Sequence, residues 1–227
     1  ILCIGASSIL NLALELTGLK FSLLVGFIVG AMTILLGTVL ATTAAYMGGV
    51  WDNLLNSVTN AILVIPTFPI LLVIAASLRV DLILMSLTLI VFSWPGATRT
   101  IRAQMLSLKE RAYIDLAKVS GLNSLEIMFM EIIPNLIPFI VVGFANSMVG
   151  AILAETGLRM LGIGPGDVYS LGLLINWAMG TAALATGRYY ILLAPISILI
   201  MIFTSLNLIN MGLEEVFNPR LRKITGE

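Results

Sequence analysis

Histidine is absent from this chain, and cysteine occurs once, at Cys3. The first absence excludes Ser-His and Cys-His catalysis, histidine-ligated metals and a histidine pH switch. The second excludes an internal disulfide and leaves a lone thiol in an apolar stretch, where it reads as a small hydrophobe. Charge is scarce as well: 11% of the residues are charged, against about 25% in an ordinary soluble domain. With 59% hydrophobic residues and a mean hydropathy of +1.07, a water-soluble fold has no way to bury so much apolar surface. The class is therefore an all-α polytopic membrane protein. The formal net charge is +0, so only the placement of charge says anything about partners. No secretory signal pattern is visible, and the spans themselves direct insertion.

What charge there is gathers in residues 99–134, where Arg99, Arg102, Lys109, Glu110, Arg111, Asp115, Lys118, Glu126 and Glu131 interrupt an otherwise nearly uncharged chain. Around this loop the apolar runs predict five spans, over about 21–46, 58–78, 82–98, 135–157 and 187–211. Residues 1–20 read as an outward-facing segment, because Ile9, Leu12, Ala13 and Leu16 recur at helical spacing with Asn11 and Glu15 on another face, the pattern of an interfacial helix. In the first span Gly26 and Gly30 form a small-xxx-small pair suited to close helix approach. Residues 47–57 read as a loop with Trp51 as an interfacial anchor, and Pro66 and Pro69 predict a kinked second span. Arg79, Val80 and Asp81 form a very short link to the third.

Lys and Arg set the orientation. One side collects Arg99, Arg102, Lys109, Arg111, Lys118, Arg220, Arg222 and Lys223; the other holds Lys20, Arg79, Arg159 and Arg188. Eight against four places the charged loop and the C-terminus in the cytoplasm. It also puts residues 1–20 outside, so a further, N-terminal span is expected upstream of Ile1.

The loop carries start and stop signals. Ser107 and Glu110 have capping-box spacing, Gly121 is suited to the left-handed position past a helix end, and Asn123 and Glu126 offer a second box. Between them Asp115 can meet Arg111 and Lys118 at helical spacing. Leu125, Met128, Phe129 and Ile132 then fall on one face, until Pro134 predicts a break before the fourth span. The expectation is two short helices at an angle, displayed on the cytoplasmic side as a docking surface. In the fourth span Asn146, Ser147 and Glu155 are polar, and an ionisable group such as Glu155 there is by default a functional candidate.

The series Asp115-Leu116-Ala117, three residues, Gly121, twelve residues, Pro134 resembles the EAA loop of ABC importer permeases, with Leu116 and Glu131 departing from the usual pattern. YMGGVWDNLLNSVTNAILVIPTFPILL (46–72), SWPGATRTIRAQMLSLKERAYIDLAKVSG (93–121), EIIPNLIP (131–138), AETGLRMLGIGPG (154–166) and FNPRLRK (217–223) resemble successive landmarks of the dipeptide/oligopeptide/nickel permease class. The resemblance covers nearly the whole chain. It implies the type I ABC importer transmembrane-domain fold and a permease subunit of a binding-protein-dependent importer in the cytoplasmic membrane of a prokaryote. Its cargo would be peptides or related small solutes, with oligosaccharides or nickel as other cargoes of such systems. The implied partners are a second related permease, two ATPase subunits and an extracytoplasmic solute-binding protein. Residues 109–130 would be the coupling element, with Asp115, Ala117, Gly121, Ser124, Leu125, Glu126, Met128 and Phe129 against the ATPase. Leu125, Met128 and Phe129 would fill its groove. Pro66, Asn146, Ser147 and Glu155 would line the pathway.

No G-x-x-x-x-G-K-[ST] occurs, so no P-loop is offered for ATP; the expectation is no enzyme activity, no metal and no cofactor in this chain, with ATP and Mg bound by the partners. Gly164-Pro165-Gly166-Asp167 fits the Gly-x-Gly-Asp pattern of intramembrane aspartyl proteases, but that chemistry needs a second aspartate alongside, and Asp52, Asp81 and Asp115 are predicted in loops. An ion-coupled secondary transporter or channel is the alternative. It would place charges at mid-membrane, and the predicted span interiors hold none.

Overall fold

The computed structural model describes residues 2–77, 81–166 and 168–217, and among them it is helical, without a strand. The first helix, α1 (Leu2–Met47), runs unbroken through both the expected interfacial segment and the first span. The division near residue 20 is absent because no residue there breaks the ladder. Gly18 is used for packing instead: a Cβ on it would stand 3.1 Å from the carbonyl carbon of Ser170.

The loop expected over 47–57 shrinks to a corner at Gly48 and Gly49, with φ of 68° and 63°. α2 (Gly49–Val64) starts at once and holds Trp51 and Asp52 in its first turn. Ile65 is then extended, as a residue before proline prefers. α3 (Thr67–Ser77) leaves Pro66 on a new axis, and the bend between the two helices is 75°. Pro69 falls in the first turn of α3, where its missing N–H breaks no helical bond. In the expected link, Arg79 and Val80 lie outside the described residues; Asp81 caps the next helix, its Oδ1 accepting from the Leu84 amide at 2.7 Å.

That helix, α4 (Leu82–Lys109), outruns the expected third span. Ile101, Met105 and Leu108 keep helical spacing and pack inward, so Ser107 lies inside the last turn and forms no capping box with Glu110. After α5 (Ala112–Val119), one helical run extends from Ser124 to Met160. It comprises α6 (Ser124–Glu126), a π-helical turn (Ile127–Ile132) and α7 (Ile133–Met160). The break expected at Pro134 is therefore not made. A proline lacks the N–H and crowds the carbonyl four residues back. The wider turn ahead of it, in which Ile133 N–H donates to Met128 O, accommodates both defects. α8 (Leu171–Gly180) and α9 (Tyr189–Phe217) complete the described chain, while Asp167 and the tail beyond Phe217 lie outside it.

Among the described residues four helical runs are long and apolar enough to cross a membrane: Leu10–Met47, Leu82–Lys109, Ser124–Met160 and Tyr189–Val216. The bent pair α2 and α3 makes a fifth if counted as one span. The chain divides into two compact units. The first gathers the chain up to Gly30, Thr67–Leu89 and Met148–Asn207, and packs around Ile152, Leu171, Ile175 and Leu199. In it Gly26 and Gly30 do what their spacing suggests, since Cβ atoms there would stand 2.4 Å from Ile152 Cγ1 and 2.9 Å from the Met148 amide nitrogen on α7. The second gathers Ala31–Pro66, Ile90–Ser147 and the chain from Leu208. Its core joins Ala41 and Ala45 of α1, Ile101 and Met105 of α4, Ile114 and Ala117 of α5, and Ile127, Ile132 and Leu136 of the run that ends in α7.

Candidate functional site

The charged loop belongs wholly to the second unit. α5 begins where Arg111 turns extended, with its carbonyl accepting from Ile114 N–H at 2.9 Å. It ends in a Schellman motif: Gly121 N–H donates to Lys118 O at 3.1 Å and Leu122 N–H to Ala117 O at 3.3 Å. The second bond requires the residue before Leu122 in the left-handed region, and Gly121 has φ 85°. Two residues later Asn123 and Glu126 close the expected capping box, with Glu126 N–H donating to Asn123 Oδ1 at 2.9 Å and Asn123 N–H to Glu126 Oε2 at 2.8 Å. The corner between the two helices is thus satisfied by its own backbone and side chains.

Ile114 and Ala117 turn the inner face of α5 onto α1 and α4, and Ile127 and Ile132 do the same from the second helix. The outer face carries Leu116, Val119, Leu125, Phe129 and Met130, all exposed, Val119 to 87%. Of the three side chains expected to fill a partner's groove, Leu125 and Phe129 face outward. Met128 does not: it is only 8% exposed. It lies in the π turn, which brings Ile127 and Ile132, five apart, onto one side, and it is buried with them. Ala117 is likewise an inner-face residue, where its small size admits the neighbouring helices. Asp115 pairs with Lys118 at 2.9 Å in an exposed contact of the kind that contributes little to stability. Ser124 and Gly121 are exposed. Tyr113 is half-buried, and burial pushes its phenol above the ordinary range, with Arg111 lowering it and Glu131 raising it to a smaller extent.

Of the expected pathway residues, Pro66, Asn146 and Ser147 belong to the second unit and Glu155 to the first. Pro66 is exposed at the bend, and Asn146 accepts from Asn210 Nδ2 at 2.8 Å. Glu155 has no exposed surface. It is the centre of a polar cluster. Ser22 Oγ donates to its Oε2 at 3.0 Å, and Arg159 Nε stands 3.8 Å from its Oε1. Arg159, equally enclosed, donates to Ser170 Oγ at 3.0 Å and to the carbonyls of Pro165 and Val168. Phe21 lies beneath its guanidinium at 5.7 Å. The Gly/Pro knot at 162–166 makes room for it, since a Cβ on Gly164 would stand 2.8 Å from Arg159 Cδ. The sequence does contain a trace of this pair, in the i,i+4 spacing of Glu155 and Arg159. Nothing in it foretells Ser22 and Ser170 as partners.

Helical among the described residues, with four or five apolar spans and a capped helix pair between two of them, the chain has the architecture of the type I ABC importer transmembrane domain. The fold is similar to a chain of the MetNI methionine ABC transporter in an inward facing conformation, with TM-score 0.67 and 16% identity over 89% of this chain and 97% of that one. The chain belongs to the family of binding-protein-dependent transport system inner membrane components, whose description matches residues 19–223. It is 34% identical over 217 residues to the oligopeptide transport system permease protein OppC of Mycobacterium tuberculosis, covering 94% of this chain and 73% of that protein. To the dipeptide transport system permease protein DppC of Haemophilus influenzae it is 29% identical over 207 residues, covering 91% and 69%. The chain is thus a multi-pass permease component of an ABC importer.

Proposed function

We propose that this permease carries peptides or related small solutes and is driven through the capped helix pair at 109–130 by ATPase subunits that bind ATP and Mg on its behalf. In this reading it pairs with a second, related permease, stands above two ATPases and receives cargo from an extracytoplasmic solute-binding protein. The loop and the C-terminus face the cytoplasm. The observation that carries the coupling role is the corner itself. A helix pair held by a Schellman motif and a capping box keeps its shape under load, and it presents five exposed apolar side chains that its own core does not use. Such side chains make the anchors of a docking surface, while Asp115, Lys118 and Glu131 around them set register and encounter rate. The peptide class rests on the likeness to the oligopeptide and dipeptide permease proteins.

The test is co-expression with candidate ATPase, second-permease and binding-protein subunits, followed by hydrolysis and uptake assays in nanodiscs and vesicles. Loaded binding protein should stimulate hydrolysis. Gly121→Pro, which cannot adopt φ 85°, should uncouple or disassemble the complex. Uptake that persists without any ATPase and follows an ion gradient would overturn the reading. Mass spectrometry of the ligand carried by the cognate binding protein identifies the solute.

A further inference from the structure

A surface that receives movement is useful only if something passes it on, and the flanking helices α4 and α7 are the obvious route because the chain connects them. The second unit contains a less obvious one. Lys109, the last residue of α4, sends its ammonium to the end of α1, donating to Ala45 O at 3.0 Å and Tyr46 O at 2.9 Å, with the Tyr46 ring 5.6 Å from Nζ. The final carbonyls of a helix lack intrahelical partners and carry partial negative charge. Lys109 meets both needs at once, two residues before Arg111 opens the coupling helix α5.

Two turns earlier on the same face of α4, Arg102 grips Asp52 in the first turn of α2. Nε lies 2.7 Å from Oδ1 and Nη2 2.6 Å from Oδ2. Such a fork fixes orientation as well as distance, which a single lysine contact does not. The pair is mostly enclosed, with side-chain exposures of 23% and 14%, so it is screened far less than an ordinary surface ion pair. Asp52 also stands at a helix N-terminus, where a carboxylate is favoured. Along the same helix α1 and α4 touch closely. A Cβ on Gly37 would stand 2.8 Å from Ala97 Cβ, and Ala41 and Ala45 pack with Ile101 and Met105. Apolar faces of this kind resist separation but tolerate sliding. Directional bonds such as these do not.

We propose that Lys109 and the Asp52–Arg102 pair are positioning residues that hand the movement of the coupling helices to α1 and α2, fixing their ends to α4 so that α1, α2 and α4 move as one body. This rests on the coupling role proposed above. It assigns a task to three charged residues that stand outside the exposed docking face.

The experiment uses the assembled complex with its ATPases, second permease and binding protein, and reads solute uptake and ATP hydrolysis side by side. Arg102→Lys keeps the charge and loses the fork; Asp52→Asn loses the charge; Lys109→Met keeps the apolar stem. Each should lower the solute moved per ATP by roughly five-fold or more, the size of a modest coupling energy. The double variant Asp52→Asn/Arg102→Lys should do little further harm, since the two act as one contact. A merely structural role would lower the melting temperature and leave the uptake-to-hydrolysis ratio alone, and that result overturns the proposal. Should Asp52→Asn fail to assemble, Arg102→Lys and Lys109→Met decide the matter, and an unchanged ratio in both overturns it. A wild-type complex whose hydrolysis ignores loaded binding protein overturns the coupling role and this proposal together; a coupled wild type with unchanged variants overturns this proposal alone.

Discussion

Glu155 and Arg159 show what a buried charge demands of its neighbours. The carboxylate has Ser22 and a long contact to Arg159, while Arg159 holds two loop carbonyls and Ser170. Removing one member of an enclosed pair leaves the other uncompensated, at a cost of about 3–5 kcal/mol, whereas losing one hydroxyl partner costs about 1–3 kcal/mol. Glu155→Ala should therefore lower the thermal midpoint of the purified protein in detergent well beyond Ser22→Ala. Equal midpoints would mean that the carboxylate is held by its hydrogen bonds alone. The sequence does not show this enclosure. An acid near a span's end looks like a lining group, and only tertiary contact from Ser22 of α1 and from Pro165, Val168 and Ser170 reveals its buried partners and those of Arg159.

At the scale of elements, local chemistry was readable wherever it closed on itself. Gly121, Asn123 and Glu126 form the corner their spacing suggests, because every bond involved lies within six residues. Asn123→Ala should remove about 1 kcal/mol from the second helix. Hydrogen exchange over residues 124–130 would register it as faster exchange, while unchanged protection would place the stability of this helix in its packing alone. Signals that depended on packing were not readable. Ser107 and Glu110 have capping-box spacing as good as that of Asn123 and Glu126. Yet Ile101, Met105 and Leu108 bury as one helical face and draw Ser107 into α4. Pro134 likewise reads as a stop, but a π turn absorbs it, and Met128 within that turn is buried.

For the whole molecule, composition alone gave the membrane class, and the uneven placement of Lys and Arg gives an orientation that is simple to test. Val119 is the most exposed apolar residue of the coupling corner and lies far from Cys3 in sequence. In a Cys3→Ser background, Val119→Cys should react with a membrane-impermeant maleimide in inverted vesicles and not in intact cells, and bound ATPase should slow that reaction. Labelling from outside would reverse the topology. The division into two units was not visible in sequence, since each draws on three separate stretches and α1 contributes to both. The π turn at 127–132 has a consequence for how such a chain can vary. A π turn amounts to one residue more than the α-helix around it. The wider turn absorbs that residue, so the helices on either side keep nearly the phase that an uninterrupted α-helix would give them. The outward apolar face at Leu125 and Phe129 and the stripe by which α7 meets its neighbours therefore hold their directions although the chain between them is one residue longer than an α-helix needs. A relative that lacks this residue should present the same docking face on the same span, with an α-turn in place of the π turn.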